Sequence, residues 1–224
     1  MRLTGTDAPD YDIWYCLHAQ NYGWLGWAKN GEASGTEGMA LRVEAVSIRV
    51  LPKGSQKPAP LGTRTQTFYK SPTIFYRSYV EKQGWQKEVR KNTISGTSGQ
   101  SLRLEAFRLR VSGETNLGVE YMSHIQYKGW EKSWVKDGKT SGLEGSGLRM
   151  EALKIRLTGD DAEKYDIWYC LHVQNYGWLG WARNGDPAGT EGRSLRVEAL
   201  CVRILPKGSP VPNNFGSRSQ AFIK

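Results

Sequence analysis

The sequence predicts an all-β protein, a pseudo-threefold β-prism built from modules of ~50 residues, with a β-trefoil as the alternative architecture. Three observations predict it. Gly-Trp occurs four times, at Gly23-Trp24, Gly84-Trp85, Gly129-Trp130 and Gly177-Trp178. About a dozen residues after each comes a small-Gly pair (Ser34-Gly35, Ser95-Gly96, Ser141-Gly142, Ala188-Gly189), then a further glycine at 38, 99, 145 and 192. Each module then carries Leu-Arg-x-Glu-Ala, at Leu41–Ala45, Leu102–Ala106, Leu148–Ala152 and Leu195–Ala199. The 224 residues include 26 Gly, 9 Trp and 11 Tyr, a mix of turn formers and strand-favouring aromatics.

A longer period overlies the short one. Arg2–Lys70 recurs as Arg156–Lys224, with roughly two-thirds identity. The modules therefore run in the order C, A, B, C. The longest break between repeats is Pro52 to Pro72, rich in Pro, Gly, Ser and Thr, whereas the A–B break (Ser112 to Gly118) and the B–C break (Thr158 to Lys164) are short. This places a single module with a Pro-rich linker at 1–70, the end of a preceding triplet. A three-module domain follows at 71–224, with repeats at about 71–115, 116–160 and 161–224. A closed unit made of the first three modules is the alternative. Met1 runs straight into a repeat end, so the chain reads as cut from a longer protein. One short module cannot bury its own apolar face, so modules must pack on one another, and an orphan module would expose apolar surface and sheet edges.

Each module reads as strands joined by glycine turns. The first strand alternates, with Ile13, Tyr15, Leu17 and Ala19 on one side and Trp14, Cys16, His18 and Gln20 on the other. The Ser-Gly-Thr-Glu-Gly run reads as a turn in which glycine supplies positive φ. In the last strand the inward phase shifts at Ala45-Val46, which requires a bulge or a bend. All four modules show this shift, so it marks a corner of the fold.

The formal charge is +9. Lys and Arg are dispersed and alternate with apolar residues, as on a solvated strand face, so no specific nucleic-acid partner is expected. An anionic wall polymer would suit the charge. No stretch approaches the ~18 apolar residues of a membrane span. Cys16, Cys170 and Cys201 are odd in number and lack CxxC spacing, which argues against a disulfide framework or a zinc site. If the protein is secreted, it tolerates free thiols, which would fit an anaerobic source.

Gly-Trp, Trp, Asp/Asn-Gly, Ser-Gly-x-x-Gly and Leu-Arg-x-Glu-Ala-hydrophobic together resemble the clostridial hydrophobic repeat with a conserved tryptophan, the ChW repeat. The best match runs from Lys128-Gly129-Trp130 through Trp134, Asp137-Gly138, Ser141-Gly142 and Gly145 to Leu148–Leu157. Module A departs from the pattern: Glu88 stands where the first C module has Trp27, and Asn92 where it has Gly31. The resemblance implies a secreted or wall-associated protein of a Gram-positive anaerobe, located at the cell surface. It also implies a role in adhesion, polysaccharide binding or protein–protein contact.

The Gly-Trp tryptophans recur in every module and read as core. The second tryptophans, Trp27, Trp134 and Trp181, each precede a polar turn that carries Asn30, Asp137 or Asn184. An aromatic face beside amide or carboxylate groups suits a saccharide, so these six residues are the candidate ligand site. Arg-x-Glu puts an Arg beside each Glu, which would lower its pKa and spoil it as a general acid. His18, His124 and His172 lie in different modules and form no metal set or triad. The expectation is a non-enzymatic module without cofactor or metal, whose partner is a glycan, a wall polymer or another surface protein. Self-association through the orphan module is also expected.

Overall fold

The computed structural model describes residues 1–39, 41–113 and 116–224. The chain is all-β and forms two compact units, Met1–Ser71 and Pro72–Lys224. The A–B connection includes Glu114 and Thr115, which lie outside the described residues, as does Ala40.

Every module repeats one hairpin-like sheet. In the first C module the long strand Tyr11–Ala19 pairs antiparallel with Val43–Pro52 and, on its other edge, with the short strands Gly23–Trp24 and Ala28–Lys29. The same pairing joins Thr73–Val80 to Leu104–Ser112 in A, Gly118–Ile125 to Met150–Thr158 in B, and Tyr165–Val173 to Val197–Pro206 in the second C module. The chain reverses before each Gly-Trp by placing two residues in the left-handed region, for example Asn21 (φ 63°) and Gly23 (φ 70°).

The long ladder carries a bulge in all four modules. Ala45 faces His18 and Val43 faces Ala19, so Glu44 has no partner in the ladder; Glu105, Glu151 and Glu198 hold the same place. The irregularity thus sits at Glu, just before the Ala45-Val46 step that the alternation predicts. Its cause is the carboxylate, which turns back to the Arg two residues earlier. The Arg Nε–Glu Oε1 distance is 2.9 Å at Arg103–Glu105, Arg149–Glu151 and Arg196–Glu198.

In the Pro72–Lys224 unit the modules are joined cyclically. The short strand Ser141–Gly142 of B pairs with Phe107 and Ala106 of A. Ala188 and Gly189 of the second C module pair with Leu153 and Ala152 of B. Ser95–Gly96 of A pairs with Leu200 and Ala199 of the second C module, which closes the ring. The small-Gly pair is therefore a sheet edge rather than only a turn, and its glycine is there for close approach. A Cβ on Gly96, Gly142 or Gly189 would stand 2.4 Å from the carbonyl oxygen of the opposing Glu and 2.7 Å from the Cα of the opposing Ala. One tyrosine per module locks the joint. The Tyr76 hydroxyl accepts from the Val202 N–H at 3.2 Å and donates to the Thr93 carbonyl; Tyr121 accepts from Leu109 N–H at 3.2 Å and donates to Lys139. Burial pushes the Tyr121 phenol up to about 12. The ring interior holds Val197, Leu200, Val202, Ile155, Leu153, Leu109 and Phe107, all essentially inaccessible. Each contributes roughly 1.5–3 kcal/mol of burial.

The Pro52–Pro72 segment does more than link. It folds back over its own module: Gly26 N–H donates to the Gln66 carbonyl, Trp27 Nε1 to Ala59, and Phe68–Lys70 pairs in parallel with Gly35–Glu37. The end of the chain does the same in the second C module, where Trp181 Nε1 donates to Asn213 and Phe222–Ile223 pairs with Gly189–Thr190.

Gly142→Val should lower the stability of the second unit by more than ~3 kcal/mol in urea unfolding, because main chain rather than a movable side chain blocks the new methyls. Gly99→Ala, with nothing within 4 Å of its added Cβ, should cost only the left-handed strain of ~1 kcal/mol. Tyr121→Phe leaves a buried N–H and a carbonyl without their partner and should cost about 1–3 kcal/mol.

Candidate binding cleft

The second tryptophans are packed into their modules. Trp27 is 2% exposed and Trp181 is 8% exposed, while Trp134 is half-buried. An arginine of the long strand lies over each ring: Arg49 at 6.0 Å from the Trp27 centroid, Arg156 at 4.1 Å from Trp134 and Arg203 at 5.0 Å from Trp181. Module A keeps the contact in another form, since Arg110 and Glu88 make a charge-assisted pair at 2.5 Å where the others stack Arg on Trp. The polar residues expected beside these rings hold the strand end. Asn30 Oδ1 accepts from Ile13 N–H at 3.0 Å, Asp137 Oδ1 from Val119 N–H at 3.1 Å and Asn184 Oδ1 from Ile167 N–H at 2.9 Å. Asn30 also lines a mixed recess of about 220 Å³ with Arg2, Leu3, Pro9, Tyr11 and Lys53.

The Gly-Trp tryptophans differ from one another. All four are half-buried and packed edge-to-face on the residue opposite, His18, Tyr79, His124 or His172, at 5.3–5.6 Å. Around them the surroundings diverge. The folded-back segments cover the C modules, Gly62 lying against Trp24 and Phe215 against Trp178. In A, Arg77 and Arg108 lie over Trp85, whose Nε1 donates to Glu144 at 2.9 Å. In B, Trp130 borders a cleft of about 400 Å³ with Ile125, Lys128, Gly129, Lys132 and Leu143, and Lys154 stands 4.4 Å over the ring.

At the tip of the turn that leads into Trp130 stands Tyr127, 89% exposed and held at φ 63°. The equivalent residues are Asn21, Lys82 and Asn175, side chains that suit a solvated turn. A bulky aromatic in the left-handed region, turned to solvent, has no packing reason to be there. Tyr127, Lys128, Trp130 and Lys132 were not among the residues expected at a site. The readable signal was the change of residue type at one position of an otherwise uniform turn. On the A side of the A–B joint, Arg77, Arg108 and Arg110 border a further recess of about 370 Å³ with Glu88.

The carboxylates near these surfaces are committed to structure. Glu131 at the cleft accepts from Ser123 N–H, Ser141 Oγ and Gly142 N–H at 2.6–2.9 Å. Arg156 beside Glu120 lowers that carboxyl, against its burial. The hydrogen bond from Lys29 to Asp12, with Gly54 N–H and the Asn30 amide, holds its carboxyl at about 2. At Asp166 burial opposes ionisation, but Asn184, Gly208 N–H and Lys207 outweigh it and the pKa is lowered. Burial pushes the Cys16, Cys170 and Cys201 thiols up, and all three are free. Among the described residues no cluster of His, Cys, Asp and Glu has the makings of a metal site, and no helix is long and apolar enough to cross a membrane.

Because the Asp12 pKa is lower folded than unfolded, its stabilisation is present above the unfolded value of ~4 and is lost as pH falls through about 2. The melting temperature of the 1–71 unit should therefore fall across that window. Asp12→Asn should melt lower at neutral pH and show a shallower acid dependence.

No curated protein and no solved structure matches this chain. The family model described as Clostridial hydrophobic W matches at 18–52, 79–113, 124–159 and 172–206, once in each module and over more than half of the sequence. Each match spans the Gly-Trp turn, the small-Gly edge and the Arg-x-Glu bulge, the parts that build and join the modules. The chain belongs to the Clostridial hydrophobic W family.

Proposed function

We propose that this protein is a non-catalytic binding module of a bacterial cell surface, which takes a carbohydrate or wall polymer at the Trp130 cleft of module B. The observation that carries the reading is Tyr127, an aromatic left exposed at the tip of the turn three residues before Trp130, which borders the cleft. Sugar rings present apolar C–H faces that stack on such rings. Lys128, Lys132 and Lys154 beside Trp130, with the net charge of +9, suit a polymer that carries phosphate or carboxylate groups. Of the three second tryptophans, Trp134 of the same module is the most exposed, whereas Trp27 and Trp181 serve packing. The cyclic joints support the pseudo-threefold prism over the trefoil as the frame of this site. Catalysis forms no part of the reading, because the Arg-x-Glu carboxylate of each of the four modules is engaged by an Arg at 2.7–3.0 Å.

The test is an array of glycans and wall polymers probed at low and high salt, followed by calorimetry on the best ligand. Trp130→Ala and Tyr127→Ala should each weaken binding about tenfold or more with unchanged circular dichroism. Trp27→Ala and Trp181→Ala should act through stability instead. Binding that survives Trp130→Ala and Tyr127→Ala, or the absence of binding to any glycan or wall polymer even at low salt, would rule out the cleft and favour a protein–protein adhesion role.

A further inference from the structure

The two C modules share a sequence pattern but not an environment. In the second, Val197, Leu200, Val202 and Ile204 are 0–4% exposed inside the ring. In the first, the same positions hold Val43, Val46, Ile48 and Val50, which are 49–55% exposed. Ile13 and Tyr15 pair with Val50 and Ile48, so these side chains form one continuous apolar sheet face. Both halves of the ring joint are also open. Gly35–Glu37 pairs on one side with Phe68–Lys70, and among the described residues no strand pairs with its other edge. A Cβ on Gly35 would meet only Leu17 Cδ1, at 3.3 Å, where the ring glycines meet the main chain of a neighbour. The receiving half, the Glu44-Ala45 bulge, likewise has no small-Gly strand upon it.

We infer that the exposed face and the two open half-joints of the 1–71 unit are an interchain contact, and that the first C modules of three copies of this chain close one ring. The joint is head-to-tail, so its rotation decides whether copies close or extend into a filament. Here the rotation is on display: in the Pro72–Lys224 unit the joint closes after three modules. The joint does not depend on module type. B on A, C on B and A on C bring the glycine so close that an added Cβ would stand at the same 2.4 Å and 2.7 Å from the neighbour's main chain, and the C module both offers an edge and receives one.

The side chains at the rim agree. Where C joins B, Glu191 stands 3.9 Å from His124 Nε2. The first C module carries both equivalents, Glu37 and His18, so a C-on-C joint repeats that pairing between chains. The ligand of the Trp130 cleft plays no part in this contact, so either inference stands without the other.

Sedimentation equilibrium on the full chain should give three times 25.2 kDa in the micromolar range. Val46→Asp and Ile48→Lys alter side chains that are exposed in the single chain, so each should fold, with unchanged circular dichroism, and sediment as one chain. The trimer dissociation midpoint should rise by about 100-fold or more. Val211→Asp, at an exposed position of the second C module, should remain trimeric. A wild-type protein that stays a single chain, forms a dimer or builds an open series of larger species overturns the closed ring. A trimer that survives both Val46→Asp and Ile48→Lys overturns the surface.

Discussion

The close approach of a glycine main chain to the Glu-Ala bulge of a neighbouring module sets the terms for everything else in this protein. A Cβ there would stand 2.4 Å from a carbonyl oxygen, so only glycine fits. The bulge creates the recess, because the extra Glu bends the long strand and turns its carboxylate toward Arg. With the main chains this close, the buried tyrosine of one module reaches an N–H of the next, and the apolar faces of three small sheets share one interior. Each of the three sheets turns an apolar face into that shared interior, so the joint adds to the stability of the unit as well as to its assembly.

That dependence explains why the two C modules, so alike in sequence, differ so much in burial. The chain holds one A–B pair and two modules that fit it. Leu200 and Ile204 each bring one methylene more than Val46 and Val50, while Val202 brings one fewer than Ile48. Val173 adds two carbons over Ala19, so the balance is about three methylenes, ~2.4 kcal/mol, with Cys201 in place of Ser47 adding to the Trp168–Cys170–Trp181 cluster. A preference of that size leaves the first C module its capacity for a ring; it keeps the glycine edge and the Glu-Ala bulge of the joint.

Much of this was legible in the sequence, and the limits are physical. Repeat positions are visible because a close-approach glycine, a bulge Glu and its Arg admit few replacements. The all-β class followed from them, and so did the need for modules to pack together. The bulge was legible as a phase shift, but its position depends on where the Glu side chain turns, which period-two alternation does not record. The small-Gly pair looks like a turn because glycine allows positive φ; that it is an edge strand on another module is a long-range fact. Trp27, Trp134 and Trp181 beside polar turns matched the chemistry of a sugar site, but the ring faces are taken by Arg49, Arg156 and Arg203, residues more than 20 positions away. The exchange of Trp for Glu88 in module A is then no loss of a site, because Arg110 finds a carboxylate where its counterparts find a ring.

The folded-back segments have a consequence for valency. Three modules with one backbone would be expected to offer three equal sites, and avidity would grow with repeat number. Here the segment 206–224 lays Phe215 against Trp178 of the C module, arginines lie over Trp85 of A, and in B Trp130 borders an apolar cleft. Counting repeats therefore overstates the number of equivalent contacts. On the proposed reading, with the Trp130 cleft as the site, longer arrays of such rings would gain reach along a surface in steps of three modules.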